Sequence, residues 1–271
     1  MKIFAIVDES TDRTPAAYLI YYEAARRFYT EITDDAGEWD VPFYFAPLVK
    51  KGKRTVGPRN SRAWVRQRII PQDRQNIGQI LRDNNLKAYD EFRLLMLSEG
   101  RCAQDDFCLK QITEEELPPE IRKREKKRLS DVVPLDGETL LAFFRDETVK
   151  RCRIRDFFRQ TPALRTYLER FPSRFAEVRI ETDGHGIMWE ENMVISSEEL
   201  YESGKTIPLS PEDFRRFAMQ RIVNTAEAAE LLDCTRQNIS VLVKEGKLIP
   251  IKETERDRLF LKGDVLKRIW K

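Results

Sequence analysis

Between Thr225 and Gly246 two short amphipathic runs flank a two-residue break, and no other feature of the sequence restricts its local fold so tightly. Thr225 is expected to cap the first run, Ala226 to Leu232, in which Ala228, Ala229, Leu231 and Leu232 form a small-residue face that lets a second helix approach closely. Asp233 and Cys234 make the turn. Thr235 caps the second run, Arg236 to Glu245, and Gly246 stands where a left-handed residue takes up the last carbonyls. At about 100° per residue, Ile239, Leu242 and Val243 share one side of this second helix, while Arg236, Gln237, Ser240 and Lys244 gather on another arc.

Downstream, Leu248 to Ile251 and Arg258 to Leu261 predict a hairpin turned over Glu253 to Asp257, with Lys252, Arg256 and Arg258 near its tip. A last helix restarting at Asp264 would bring Val265, Leu266, Ile269 and Trp270 to a shared core. The run Thr225 to Leu232, then Thr235-Arg236-Gln237-Asn238-Ile239, Lys244 to Pro250, Arg258-Leu259-Phe260 and Gly263-Asp264-Val265 resembles the excisionase-type branch of the MerR-like winged helix family. The resemblance implies a winged helix-turn-helix over residues 222–271 that binds double-stranded DNA through the second helix and the wing. Carried over residue by residue, it assigns contacts to Arg236, Gln237, Ser240, Lys244, Lys252, Arg256 and Arg258, with Thr225 and Thr235 at the helix starts. Arg and Gln at a helix start suit paired hydrogen bonds to guanine and adenine edges, whereas Ser and Lys suit phosphates. Two departures stand out: Asp233 where the family usually has Gly, and an acidic wing at Glu253, Glu255 and Asp257.

A chain of 271 residues calls for more than one core. Charged residues make up 35%, against about 25% in ordinary domains, yet the net charge is only +2, so a nucleic-acid partner has to be read from local clusters. Cys102, Cys108, Cys152 and Cys234 lack metal-ligand spacing, which suits reduced thiols in a cytoplasmic protein. No apolar run approaches the roughly 18–20 residues that a membrane span needs, and no cofactor or metal motif is present.

The remaining chain reads as α+β. Over residues 1–112, a strand from Met1 to Val7 ends at Asp8-Glu9-Ser10, and Ala17 to Ile32 is either one helix or, as favoured here, a hairpin turned near Glu23 to Arg26. A strand is expected over Val41 to Val49, and helices over Gln72 to Leu81 and Ala88 to Ser98, stopped by Gly100. Residues 113–129, charged around Pro118-Pro119, read as a linker without a core face. A small α+β interaction domain is expected over 130–209, with strands Thr139 to Phe144 and Val149 to Ile154, a helix across Phe157 to Phe171, and a hairpin of Phe175 to Glu181 with Ile187 to Trp189 turned at Asp183-Gly184-His185-Gly186. Its runs Val132 to Leu135, Leu140 to Phe144, Phe175 to Arg179, Gly186 to Trp189 and Leu200-Tyr201 are similar to domain-of-unknown-function family 2442, which implies an interaction or regulatory role of toxin–antitoxin type. Glu190-Glu191-Asn192 departs from that family's Gly and Asp after the Trp. Ser210-Pro211 starts a connecting helix over 210–221.

Residues 50–74 carry Lys50, Lys51, Lys53, Arg54, Arg59, Arg62, Arg66, Arg68 and Arg74 with Trp64 and a single acid, Asp73. This stretch is either a solvated loop face or a second basic surface for nucleic acid or an acidic partner. Around it, Arg68 to Pro71 and Tyr89 to Leu95 faintly resemble the small N-terminal subdomain of HipA-like toxin kinases. Catalytic candidates are few. The sole histidine, His185, reads as a solvated turn residue, Cys102 and Cys108 as core thiols around a helix-start acid pair, Asp105 and Asp106, and Asp8 with Glu9 as acids ending a strand. The expectation is therefore a DNA-binding transcriptional regulator of antitoxin type, not an enzyme, that controls its own operon, holds a toxin-like protein and forms a homodimer. The alternatives are a protein-binding antitoxin or inhibitor module without DNA contact, and a metal-dependent nuclease centred on Asp8.

Overall fold

The computed structural model describes residues 1–271 apart from 12, 136, 191, 192, 267 and 269–271. The expected contributions of Ile269 and Trp270, and the departure at Glu191 and Asn192, lie outside the described residues. The protein is α+β, with antiparallel pairing in all its described sheets.

The N-terminal sheet has the order β4-β3-β2-β1-β5, built from β1 (Lys2–Asp8), β2 (Ala17–Tyr22), β3 (Arg27–Ile32), β4 (Thr55–Val56) and β5 (Phe107–Ile112). The hairpin reading of Ala17 to Ile32 holds, because β2 and β3 carry apolar residues on both faces and both faces are covered. On one face lie α1 (Ala46–Lys50), α2 (Pro58–Arg66), α3 (Ile77–Asp83) and α4 (Glu91–Leu97), around a core that includes Phe4, Leu19, Phe28, Trp64 and Leu95. The strand expected over Val41 to Val49 is instead a turn leading into α1. Val41, Phe45 and Val49 are buried at four-residue intervals, and Pro47, which lacks a ladder donor, sits in the first helical turn. Asp105 and Asp106 do not start a helix. Cys102 bridges to Asp105, whose carboxylate accepts from Phe107 N (3.1 Å) as β5 begins.

The second face corrects the linker reading of 113–129. Within that segment lies α5 (Pro119–Lys126), and Leu117 and Ile121 are fully buried against Ile3, Ala5, Tyr18, Ile20, Tyr22 and Tyr29. Two apolar side chains suffice because the sheet already presents a complete apolar face.

The middle region pairs β12-β8-β7-β6 in one sheet and β11-β10-β9 in another: β6 (Leu129–Leu135), β7 (Thr139–Phe144), β8 (Val149–Arg153), β9 (Arg179–Ile180), β10 (Gly186–Met188), β11 (Val194–Ser196) and β12 (Lys205–Thr206). Helices α6 (Pro162–Arg170) and α7 (Ser197–Ser203) close a core of Leu140, Phe144, Ile154, Phe157, Leu168, Ile187, Trp189 and Leu200. Of the segment Phe175 to Glu181, only Arg179–Ile180 is strand, since Pro172 to Glu177 winds into a 3-10 turn.

The turn after β9 contradicts the solvated reading of His185. Asp183 and Gly184 both take left-handed backbone (φ 53° and 77°), which folds the turn down onto the N-terminal sheet. A Cβ on Gly184 would meet the Leu129 carbonyl oxygen at 2.1 Å. His185 is 7% exposed, stacked on Tyr29 at 3.8 Å, with Nε2 3.0 Å from the Tyr22 hydroxyl. Around it Arg128, itself buried, donates to the Tyr22 oxygen (2.9 Å), to Asp183 (2.7 Å) and to Glu31 (3.2 Å). Tyr29 and Arg27 both donate to the buried Glu181. A buried polar network of this kind holds only when its members are mutually satisfied, so it fastens the first sheet to the middle region.

The C-terminal unit begins with α8 (Pro211–Arg221), capped by Ser210 as expected, and runs directly into β13 (Ile222–Asn224). Then follow α9 (Thr225–Leu231), α10 (Arg236–Lys244), β14 (Lys252–Glu253), β15 (Arg258–Leu261) and α11 (Lys262–Leu266), with sheet order β13-β15-β14. Val223, Ala228, Ala229, Ile239, Leu248, Phe260 and Val265 form its own core.

Candidate nucleic-acid interface

Helix α10 is set by its two ends and its buried side. Thr235 accepts a hydrogen bond from Asn238 N (3.3 Å), and Gly246 takes the left-handed conformation (φ 67°) past the last turn. Ile239 is fully buried against the small-residue face of α9, with Leu242 and Val243 partly buried beside it. This orientation leaves Arg236, Gln237 and Lys244 exposed on the outer side. Among the described residues, no hydrogen bond or ion pair joins α10 to the part of the chain before residue 210.

The first helix is capped one residue earlier than the sequence suggests. Asn224, not Thr225, accepts from Ala226 N and Glu227 N (both 2.9 Å), and the Glu227 carboxylate accepts in turn from Asn224 N (2.7 Å). The reason is that β13 pairs with β15 as far as Asn224, so the chain passes from strand to helix with no intervening loop. Thr225 faces the wing, its hydroxyl 3.5 Å from the Arg258 carbonyl oxygen and its amide donating to Asp257 (3.3 Å).

The first wing strand falls later than expected: Leu248 to Ile251 is not strand, β14 is Lys252–Glu253 paired against Arg258–Leu261, and the tip is a turn held by Thr254 and Asp257. Its acidity is largely absorbed internally. Glu253 pairs with Arg258 (2.5 Å). Asp257 is held below the usual carboxylate range, foremost by its hydrogen bond with Thr225 and also by the Arg258 amide and the nearby Arg236 cation. Arg258 also reaches the Ser240 hydroxyl (3.4 Å), so these two expected contact residues are a strut between wing and helix. Between α10 and the wing lies a cleft of about 390 Å³, lined among others by Asn224, Arg236, Ser240 and Arg256. Lys252 and Arg256 are exposed on the wing.

The second basic surface does not assemble as one face. Trp64 is core, and Arg68 is buried over its ring at 4.2 Å with an ion pair to Asp105 (2.5 Å). Arg62 and Arg66 converge on Glu91 (2.6 and 2.7 Å), and Arg54 donates to the Ala36 carbonyl (2.9 Å). Lys50, 3.8 Å from Glu38, remains exposed with Lys51, Lys53, Arg59 and Arg74. Sequence spacing concealed this because the acids that take up the arginines, Glu91 and Asp105, lie 25–37 residues downstream of them.

At the end of β1, Asp8 accepts from Ser10 N (2.9 Å) and Oγ (2.6 Å), bonds that lower its pKa, and Glu9 receives a paired donation from Arg101 (2.7 and 2.9 Å). No group of three His, Cys, Asp or Glu side chains arranged to hold a metal occurs among the described residues. No helix among them is long and apolar enough to cross a membrane. Compared with known protein families, curated proteins and solved structures, the chain matches none.

Proposed function

We propose that this protein is a DNA-binding transcriptional regulator of antitoxin type, acting in the cytoplasm, in which α10 enters a major groove and the wing lies along the adjacent backbone. The observation that carries the reading is the outer side of α10: Arg236 and Gln237 at its start and Lys244 at its end are exposed beside the Arg256 wing tip, while the opposite side is locked into the core. Side chains at the start of a helix reach base edges, and a wing cation suits phosphate. Partner binding by residues 1–207 is supported by Trp39 and Phe43, which are 89% and 85% exposed four residues apart on the N-terminal region; large aromatics are enriched at protein interfaces.

The test is a fluorescence anisotropy titration of the full chain, across a salt series, against its own upstream DNA and a scrambled duplex. Preference for the upstream duplex with a steep salt dependence is expected, and Arg236→Ala/Gln237→Ala should cost about 2–6 kcal/mol of that preference at about 1–3 kcal/mol per base contact. Equal binding of both duplexes, or a double variant that discriminates as the parent does, overturns the reading.

A further inference from the structure

We propose that α8 is a self-association helix, and that two copies of this chain pair through antiparallel α8 helices about an axis close to Phe217. None of its eleven residues is buried, and Phe214 and Phe217 are each 49% exposed on one side, with Met219 on the other. A helix this short is marginal in water without a packed face, so an apolar stripe left open calls for a covering surface.

The pattern of the helix identifies that surface. Phe214, Phe217, Ala218 and Arg221 follow the i, i+3, i+4, i+7 spacing of one stripe. On the opposite side Glu212 takes up Arg215 (3.4 Å) and Arg216 (3.0 Å) within the helix. Asp213, whose carboxylate also accepts the Ser210 hydroxyl (2.8 Å), flanks the stripe at the helix start, and Arg221 lies on it at the end; among the described residues neither forms an ion pair. Antiparallel pairing about Phe217 sets Asp213 of each copy opposite Arg221 of the other. A parallel pair would face Asp213 with Asp213 and Arg221 with Arg221, which is unfavourable. The stripe is thus complementary in charge to a second copy of itself in one orientation only. Because Ile222 both caps α8 and opens β13, the pairing would also fix how two C-terminal units are disposed. This inference stands whether or not those units bind DNA.

Two such short helices bury less than a standard interface, so the dimer is expected to form reversibly in the micromolar range. Sedimentation equilibrium of the full chain should show a concentration-dependent monomer–dimer equilibrium. Phe214→Glu/Phe217→Glu should weaken it at least tenfold while circular dichroism and Tm stay unchanged. Arg221→Asp should also weaken it, and Asp213→Arg/Arg221→Asp should recover most of the loss; should the glutamates unfold the helix, this charge pair alone decides. A monomer at every concentration, a dimer that survives the two glutamates in a folded protein, or a charge swap as weak as Arg221→Asp overturns the proposal.

Discussion

Nε2 of His185 lies 3.0 Å from the Tyr22 hydroxyl, which joins a turn of the middle region to the second strand of the N-terminal sheet. The imidazole is neutral there. Burial, followed by the Arg128 and Arg145 cations, pushes its pKa well below the usual 6.5, while burial raises the Tyr22 and Tyr29 phenols. Asp183 stays ionised despite burial because Arg145, Tyr22 and Arg128 hold its charged form. The groups facing His185 are therefore fixed in one protonation pattern at neutral pH.

From this follows a pH dependence. The unfolded chain binds a proton at His185 below its usual 6.5, whereas the folded ring does not, so the stability is fully present above that pH and declines as the pH falls from there. The expected slope from this group is at most about 1.4 kcal/mol per pH unit. Urea denaturation between neutral and mildly acidic pH should show it, and His185→Gln should flatten it. Parallel pH profiles for parent and variant would refute the assignment.

Ile121→Ala tests the correction of the charged segment. A linker residue would tolerate the change, but truncating a fully buried isoleucine is expected to cost about 2–5 kcal/mol. A urea midpoint unchanged from the parent would place Ile121 outside any core in solution.

Asp233 occupies the turn between α9 and α10 with φ 49°, the left-handed conformation that disfavours a Cβ. Asp233→Gly is expected to stabilise the C-terminal unit by up to about 1 kcal/mol, with the opposing gain in unfolded-chain entropy making the benefit modest. Thermal unfolding reads the change; a lower Tm would mean that the aspartate side chain contributes more than its backbone costs.

Arg256 and Arg258 should separate by role. Arg256 is exposed at the wing tip, so Arg256→Ala should leave Tm unchanged and reduce the salt slope of DNA binding by about 0.9, one phosphate contact. Arg258 braces Glu253 and Ser240, so Arg258→Ala should lower Tm together with affinity. Identical behaviour of the two variants would contradict this division.

The two helices of the C-terminal unit were legible in the chain because their determinants are local, whereas β13, which pairs with the distant β15, was not. Thr235, the apolar spacing of Ile239 and Leu242, and Gly246 act within one helix, and the hairpins of β2 with β3 and β7 with β8 are equally short-range. The candidate site was legible only in part. The exposure of Arg236, Gln237 and Lys244 follows from helical periodicity, whereas the diversion of Ser240 and Arg258 into a strut depends on where the wing returns.

What the sequence by itself determined was the set of elements whose caps, turns and apolar periods lie within about a dozen residues of one another. Tertiary structure alone decided the fate of the charged residues. Local sequence cannot tell whether an arginine, a histidine or a helix rich in charge will face water, because a charged group is buried only when partners from distant segments satisfy it. His185 is covered by Tyr22 and Tyr29 from more than 150 residues away, Arg128 joins Glu31 to Asp183, and α5 finds its core on a sheet completed by strands from both ends of the N-terminal region.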